Sequence, residues 1–351
     1  MAGGVSVLSL QLLVQGDPQP VTADEGDTVL AALLRAGVGF AYSCEAGNCG
    51  TCKCEYVSGD IFELEYSEHA LLPGERDKGV ILACRTQMWG DTVIRRVSDE
   101  AFVVHPSRVM TCKVVEKSML THDIVRLRLG IEAGGPFTFL AGQFAKVTFE
   151  FAPDRPRDYS MANSPTEGVL EFHLRCVPGG VSAQIPERLG IGDRVRVSGP
   201  FGTSYWREQH AGPLLLVAGG SGMAPVRSIL AAVLAKGAAQ PVHLYFGVRA
   251  ERDVYGEAEL RDWAARHPNL QIHIVLSEAT GVVAPNRRLG LVTDAVRADF
   301  SRLDQFNAYL AGPPVMVEAA AELIGALGMA RRDIHADAFY ATGEGPLKGG
   351  A

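Results

Sequence analysis

At 351 residues the chain is too long for a single ordinary core and suits two or three. With 47% hydrophobic and 21% charged residues it has the balance of a folded chain and not of a disordered one. A formal charge of −7 argues against a nucleic-acid-binding surface, because that affinity comes largely from clustered lysine and arginine, so no nucleic-acid partner is expected.

The start has no basic segment, and Val5 to Leu12 alternates apolar with polar residues, which predicts a strand and not a signal peptide. No apolar run approaches the roughly 20 residues that span a bilayer, so the expectation is a cytoplasmic protein with no membrane partner. Thr28 to Ala36 predicts a helix with Asp27 or Thr28 as N-cap and Gly37 as its C′ residue. Four of the seven cysteines then crowd between Cys44 and Cys54, too close for independent disulfides. Cys44, Cys49 and Cys52 form Cys-x4-Cys-x2-Cys, and Cys84 offers a fourth thiol, which is the spacing of a plant-type [2Fe–2S] cluster. A zinc site would show two symmetric cysteine pairs, and none is present. Gly47 and Gly50 permit the positive φ that turns backbone N–H groups toward the sulfurs. Cys54 competes with Cys52, but the spacing favours Cys52, and strand alternation leaves Cys54 as a packing residue. Cys112 and Cys176 stand alone and read as small buried hydrophobes.

After a linker at His105 to Ser107, residues 106 to 208 carry short β-rich runs at Lys146 to Phe151, Val169 to Val177 and Arg194 to Ser198, separated by glycine and proline turns. That pattern predicts an antiparallel barrel. A second linker spans His210 to Pro213. Beyond it strands alternate with helices: Leu214 to Ala218, Pro225 to Ala235, Val242 to Val248, Glu257 to Arg266 and Gln271 to Leu276, which predicts a parallel α/β sheet. The first of these strands runs into Gly219-Gly220-Ser221-Gly222-Met223-Ala224-Pro225 and then a helix, an arrangement whose free N–H groups and dipole suit a phosphate. Pro225 stands where a dinucleotide Gly-x-Gly-x-x-Gly would have its third glycine. The tail from Gly343 to Ala351 reads as a fraying end. If a cluster and a nicotinamide share one chain, a flavin is expected between them, because the first takes one electron and the second delivers two.

Residues 1 to 103 resemble a plant-type ferredoxin domain of the β-grasp fold, on Ser43 to Cys54 and Leu82-Ala83-Cys84-Arg85-Thr86. Arg157-Asp158-Tyr159-Ser160 resembles the Arg-x-Tyr-Ser motif of the ferredoxin–NADP reductase superfamily, and Gly192-Asp193 and Gly199-Pro200-Phe201-Gly202 continue its pattern. The resemblance implies a Greek-key FAD barrel in which Arg157 meets the FAD pyrophosphate, Tyr159 lies against the flavin and Ser160 sits near its N5. It places His173 and Arg175 beside the flavin and gives Gly179, Gly180 and Ser182 to phosphate oxygens. Gly220, Ser221 and Gly222 would receive the NAD(P)H pyrophosphate. Tyr309-Leu310-Ala311-Gly312-Pro313-Pro314 resembles the segment near the nicotinamide, with Ala311 where the superfamily often has cysteine, and Phe339 would lie on the flavin side.

The whole chain resembles the reductase components of bacterial aromatic-ring-hydroxylating dioxygenases of the naphthalene dioxygenase type, in three domains: 1–103 with the cluster, 106–208 with FAD and 211–345 with NAD(P)H. This implies hydride transfer from NADH to FAD, then single electrons through the cluster to a separate ferredoxin or Rieske oxygenase, with no catalytic acid, base or nucleophile. The same trunk serves diiron monooxygenases and a deoxysugar dehydratase. A non-enzymatic ferredoxin-like carrier is the rival from another class. Arg249 and Arg252 suit a 2′-phosphate while Glu251 and Asp253 suit a free 2′-hydroxyl, so NADH is expected with tolerance of NADPH. The chain is expected to be a monomer.

Overall fold

The computed structural model describes residues 9–340 apart from 43, 49, 69, 72, 98–104 and 279–281. The Gly-rich tail and the beginning of the expected first strand lie outside the described residues. The chain divides into two compact units: Met1–Val104 with Tyr340–Ala351, and His105–Phe339.

The first unit contains β1 (Ser9–Val14), β2 (Val21–Asp24), α1 (Val29–Arg35), β3 (Lys53–Ser58), β4 (Ile61–Glu63), α2 (Pro73–Arg76), β5 (Val80–Leu82), β6 (Thr86–Met88) and β7 (Thr92–Arg96). Five of these described strands form one sheet in the order β2-β1-β7-β3-β5, with β1 and β7 parallel at its heart. Along β1 the residues Leu10, Leu12 and Val14 face the core while Ser9, Gln11 and Leu13 face out, the alternation that the pleat imposes. The Thr28 hydroxyl accepts the Ala31 N–H at 3.2 Å and starts α1, which buries Val29, Leu30, Ala32 and Leu33. This is the expected β-grasp arrangement of a mixed sheet packed against α1.

The second unit opens with β8 (Arg108–Met119), β9 (Ile124–Ala133), β10 (Phe144–Phe149), β11 (Arg157–Ser160), β12 (Leu170–Arg175), the one-turn α3 (Ile185–Arg188) and β13 (Arg194–Phe201). These strands pair antiparallel in the order β11-β10-β13-β8-β9-β12, so β13 returns between β8 and β10 in Greek-key fashion. A bridge from Met161 to Phe172 joins the two outer members and closes the sheet around Met110, Leu127, Val147, Phe149, Phe172 and Val197. The predicted barrel is therefore present.

Downstream come β14 (Leu214–Gly219), α4 (Met223–Ala235), β15 (Val242–Val248), α5 (Glu257–Arg266), β16 (Leu270–Leu276), β17 (Arg287–Leu289), α6 (Val292–Asp299), β18 (Asn307–Gly312), α7 (Pro314–Ala326) and β19 (Ile334–Ala338). The sheet is parallel throughout, ordered β17-β16-β15-β14-β18-β19. Every residue of β14 is buried because Leu214, Leu216 and Ala218 pack toward α4 while Leu215 and Val217 pack toward α6 and α7. The strand order reverses between β14 and β18, and open α/β sheets bind ligands in the crevice outside the carboxyl ends of the strands at such a reversal.

Candidate functional site

In the first unit, β3 and β5 pair with Lys53 opposite Leu82, which brings Cys52, just before β3, to Cys84, just after β5. The Cys84 N–H donates to the Cys52 sulfur at 3.5 Å, and the Ala46 and Asn48 N–H groups both donate to the Cys44 sulfur at 3.4 Å. Donors aimed at sulfur stabilise negative thiolates. Gly50 adopts φ +68, and a Cβ there would lie 2.6 Å from the Ala70 carbonyl; at Gly47, φ is +75 and a Cβ would lie 2.7 Å from Arg85 Cγ. Either substitution would push the loop open. Cys49 lies outside the described residues. Cys54 is wholly buried on β3, and its thiol is pushed up to about 12 chiefly by burial, so it stays protonated as a packing residue. Burial likewise raises Cys112, to about 11. Thiols with backbone N–H groups turned onto them fit a [2Fe–2S] cluster.

On the barrel, Arg157, Tyr159 and Ser160 share β11. The half-buried Arg157 donates from Nη1 to the Pro156 carbonyl at 2.7 Å. Tyr159 bonds the Ser182 hydroxyl, and burial holds its phenol well above its usual range. Ser160 Oγ lies 3.2 Å from Asp337 Oδ2 on β19, so the barrel motif meets the parallel sheet directly. Arg175 turns its Nε to Asp123 at 3.2 Å. The Ser182 hydroxyl accepts the Val177 N–H at 3.1 Å, while the Gly180 N–H donates to the Val177 carbonyl at 2.9 Å. This tight turn engages the Gly180 N–H within the protein, a difference from its expected place on a phosphate. Gly179 supplies the positive φ of the turn.

His173 is buried with both ring nitrogens occupied: Nε2 lies 3.1 Å from Glu171 Oε1, and Nδ1 3.3 Å from the Tyr255 hydroxyl. Burial pulls its pKa down against the pull of Glu171. The Tyr255 hydroxyl also lies 3.3 Å from the Gly220 carbonyl, joining His173 to the glycine turn. Sequence reasoning missed Glu171, Tyr255 and Arg227. From α4, Arg227 donates Nη1 to the Ala162 carbonyl at 2.7 Å and forks onto Glu259 with two contacts of 2.7 Å, 3.9 Å from Glu171. Its neighbour Ser228 donates to the Asn163 carbonyl at 2.7 Å. The signal for Arg227 was a lone charge inside the otherwise apolar helix Met223–Ala235.

At the crevice, Gly220–Gly222 makes one 3₁₀ turn between β14 and α4. A Cβ on Gly222 would lie 2.1 Å from the Ala311 carbonyl oxygen, and one on Gly312, at φ +141, would lie 2.7 Å from the Gly219 carbonyl oxygen. The two strand ends thus touch backbone to backbone, which places Gly220, Ser221 and Gly222 beside Ala311, Gly312 and Pro313. The Phe339 N–H donates to the Gly312 carbonyl at 2.9 Å, which sets Phe339 at the same edge.

Three family descriptions match the chain in series: a 2Fe-2S iron-sulfur cluster binding domain over residues 12–88, an oxidoreductase FAD-binding domain over 111–206 and an oxidoreductase NAD-binding domain over 216–322. The reductase component of the naphthalene 1,2-dioxygenase/salicylate 5-hydroxylase systems of a Ralstonia species is 42% identical, with 95% of this chain covering 100% of that protein. The corresponding naphthalene 1,2-dioxygenase component of Pseudomonas putida is 40% identical over the same shares. Among solved structures, an Amycolatopsis cytochrome P450 reductase superposes with a TM-score of 0.79 at 35% identity, covering 94% of this chain and 98% of that one. A ferredoxin reductase in carbazole 1,9a-dioxygenase gives 0.71 at 31% identity, covering 95% and 99%.

Proposed function

The chain belongs to the ferredoxin–NAD(P)+ reductase components of aromatic-ring dioxygenase systems, and from that membership we propose which of its residues carry electrons from coenzyme to partner. It is an oxidoreductase with FAD, a [2Fe–2S] cluster and NAD(P)H as its electron source. Bound here, FAD would supply the exchange between a two-electron hydride and single electrons, and the cluster a one-electron store.

Cys44, Cys49, Cys52 and Cys84 hold the cluster, and the N–H groups of Ala46 and Asn48 stabilise its sulfur charge. Arg157 pairs with the FAD pyrophosphate, Tyr159 and Ser160 line the flavin, and Gly179, Gly180 and Ser182 shape the turn beside it. His173 and Arg175, tied to Tyr255 and Asp123, brace that wall of the site. Gly220, Ser221 and Gly222 take the dinucleotide pyrophosphate, while Ala311, Gly312, Pro313 and Phe339 seat the nicotinamide. The domains run 1–103, 106–208 and 211–345. The protein acts as a monomer in the cytoplasm, where thiols stay reduced, and delivers electrons to a ferredoxin or to the terminal oxygenase of an aromatic-hydroxylating system.

The observation that supports this reading most directly is the order of three sites on one chain: thiol loop, Arg-x-Tyr-Ser strand and glycine turn. Anaerobic addition of NADH to the holoprotein tests it. Flavin absorbance should bleach and a paramagnetic one-electron-reduced cluster should appear, followed by oxygenation when a partner oxygenase and aromatic substrate are added. A cluster spectrum with no flavin bands would favour the simple carrier instead.

A further inference from the structure

The turn after β15 carries four charges, Arg249, Glu251, Arg252 and Asp253, two of each sign. In parallel sheets the ribose of a dinucleotide lies over the end of the strand next to the phosphate turn, where an acid accepts a 2′-hydroxyl and an arginine accepts a 2′-phosphate. The charges alone do not decide between the coenzymes. Their partners do.

Asp253 is buried, accepts the Ala250 N–H at 3.1 Å and pairs with Arg249 at 3.3 Å. Arg249 also stands 3.8 Å from Asp123 of the barrel, so its charge is balanced from two sides. Glu251 is gripped by Arg287 of β17, through Nε at 3.0 Å and through Nη2. The same guanidinium holds Glu257 of α5 with contacts of 2.8 and 2.7 Å. The Arg287 side chain is only 3% exposed, whereas Glu251 and Glu257 are 31% and 24% exposed, so the cation is shielded from water while the carboxylates still meet it. Arg252 is exposed and is the one charge of the turn with no ion pair among the described residues.

We propose that Arg287 is a specificity-determining residue for the coenzyme: by holding Glu251 it withdraws the carboxylate that would repel a 2′-phosphate, and leaves Arg252 to face that phosphate, so NADPH is used as well as NADH. The inference rests on the nicotinamide reading of the crevice. Without that guanidinium the Glu251 carboxylate would lose this ion pair and stand as a bare negative charge, whereas Glu257 would keep Arg261, whose Nε donates to it at 2.9 Å. Like charges set against each other across a binding site oppose association.

The test compares the holoprotein and its variants by kcat/KM for NADH and NADPH with a dye acceptor, and by calorimetric titration with 5′-AMP and with adenosine 2′,5′-bisphosphate, which differ only in the 2′-phosphate. Arg287→Met should shift the NADPH-to-NADH ratio toward NADH by about tenfold or more, with a parallel loss of affinity for the bisphosphate but not for 5′-AMP. Arg287→Met with Glu251→Gln should restore both. Glu251→Gln alone should leave the ratio within about twofold of the parent, because its charge is already balanced. An unaltered ratio in Arg287→Met, or no restoration in the double variant, overturns the proposal. If Arg287→Met does not fold, Glu251→Gln decides: a tenfold gain in NADPH use would show that Glu251 acts on the coenzyme despite Arg287, and would overturn it. Oxidation of neither coenzyme by the parent protein would instead sink the nicotinamide reading itself.

Discussion

Gly222 leaves no room for one more carbon: a Cβ would stand 2.1 Å from the Ala311 carbonyl oxygen, and the neighbour is backbone that cannot rotate away. Gly222→Ala should therefore force β14 and β18 apart, at a cost on the order of 1–3 kcal/mol in stability, as overpacking does. NADH affinity should fall with it, since this turn is the proposed seat of the coenzyme's pyrophosphate; a variant with unchanged unfolding midpoint and unchanged NADH affinity would refute this. Arg157 has the opposite character, half-buried with its guanidinium bonded, among the described residues, only to its neighbour's carbonyl. Arg157→Ala should leave the fold and the cluster intact while weakening FAD by about 1.5–3 kcal/mol, the worth of a hydrogen bond to a charged group. Gel filtration followed by a flavin-to-cluster absorbance ratio measures it, and full flavin retention would count against the assigned contact.

Among the elements, β19 carries a titration that the sequence did not announce. His335 is buried against Tyr309, ring centroids 4.9 Å apart, and burial with Arg207 and Arg331 nearby pushes its pKa down to about 3. The unfolded imidazole takes up its proton near 6.5, so this contribution to stability is complete above that pH. It is lost as pH falls toward 3, by about 1.4 kcal/mol per pH unit. His335→Gln should flatten the fall in unfolding free energy between pH 6.5 and 5, by up to about 2 kcal/mol, in denaturant titrations of the protein. An equally steep fall in the variant would place the titration elsewhere. What could be read beforehand was whatever depends on near neighbours: β15 and α5 fall where periodicity put them, at Val242–Val248 and Glu257–Arg266. The helix after the glycine turn begins at Met223, two residues before the expected Pro225, because proline is at home in a first turn. The cysteine spacing was legible for the same local reason. Arg227 on Ala162, 65 residues away, and Tyr255 on His173, 82 away, were not, because neither partner is marked by spacing and only the packing of barrel against sheet brings them together.

For the whole molecule, the serial order of the three sites makes a separable prediction. Cys49→Ser should abolish reduction of one-electron protein acceptors such as cytochrome c, yet leave NADH oxidation by dyes that take electrons from flavin. Equal loss of both activities with FAD still bound would mean that the order is wrong. The first unit has a further peculiarity: it is discontinuous in sequence, gathering Met1–Val104 together with the segment that begins at Tyr340, whose hydroxyl donates to the Asn48 carbonyl at 3.0 Å. Those two residues are 292 apart. At about 5–20 residues per second of synthesis, Asn48 leaves the ribosome roughly 15–60 s before its partner exists. A nascent cluster loop must therefore persist through that interval without the hydrogen bond that Tyr340 later supplies.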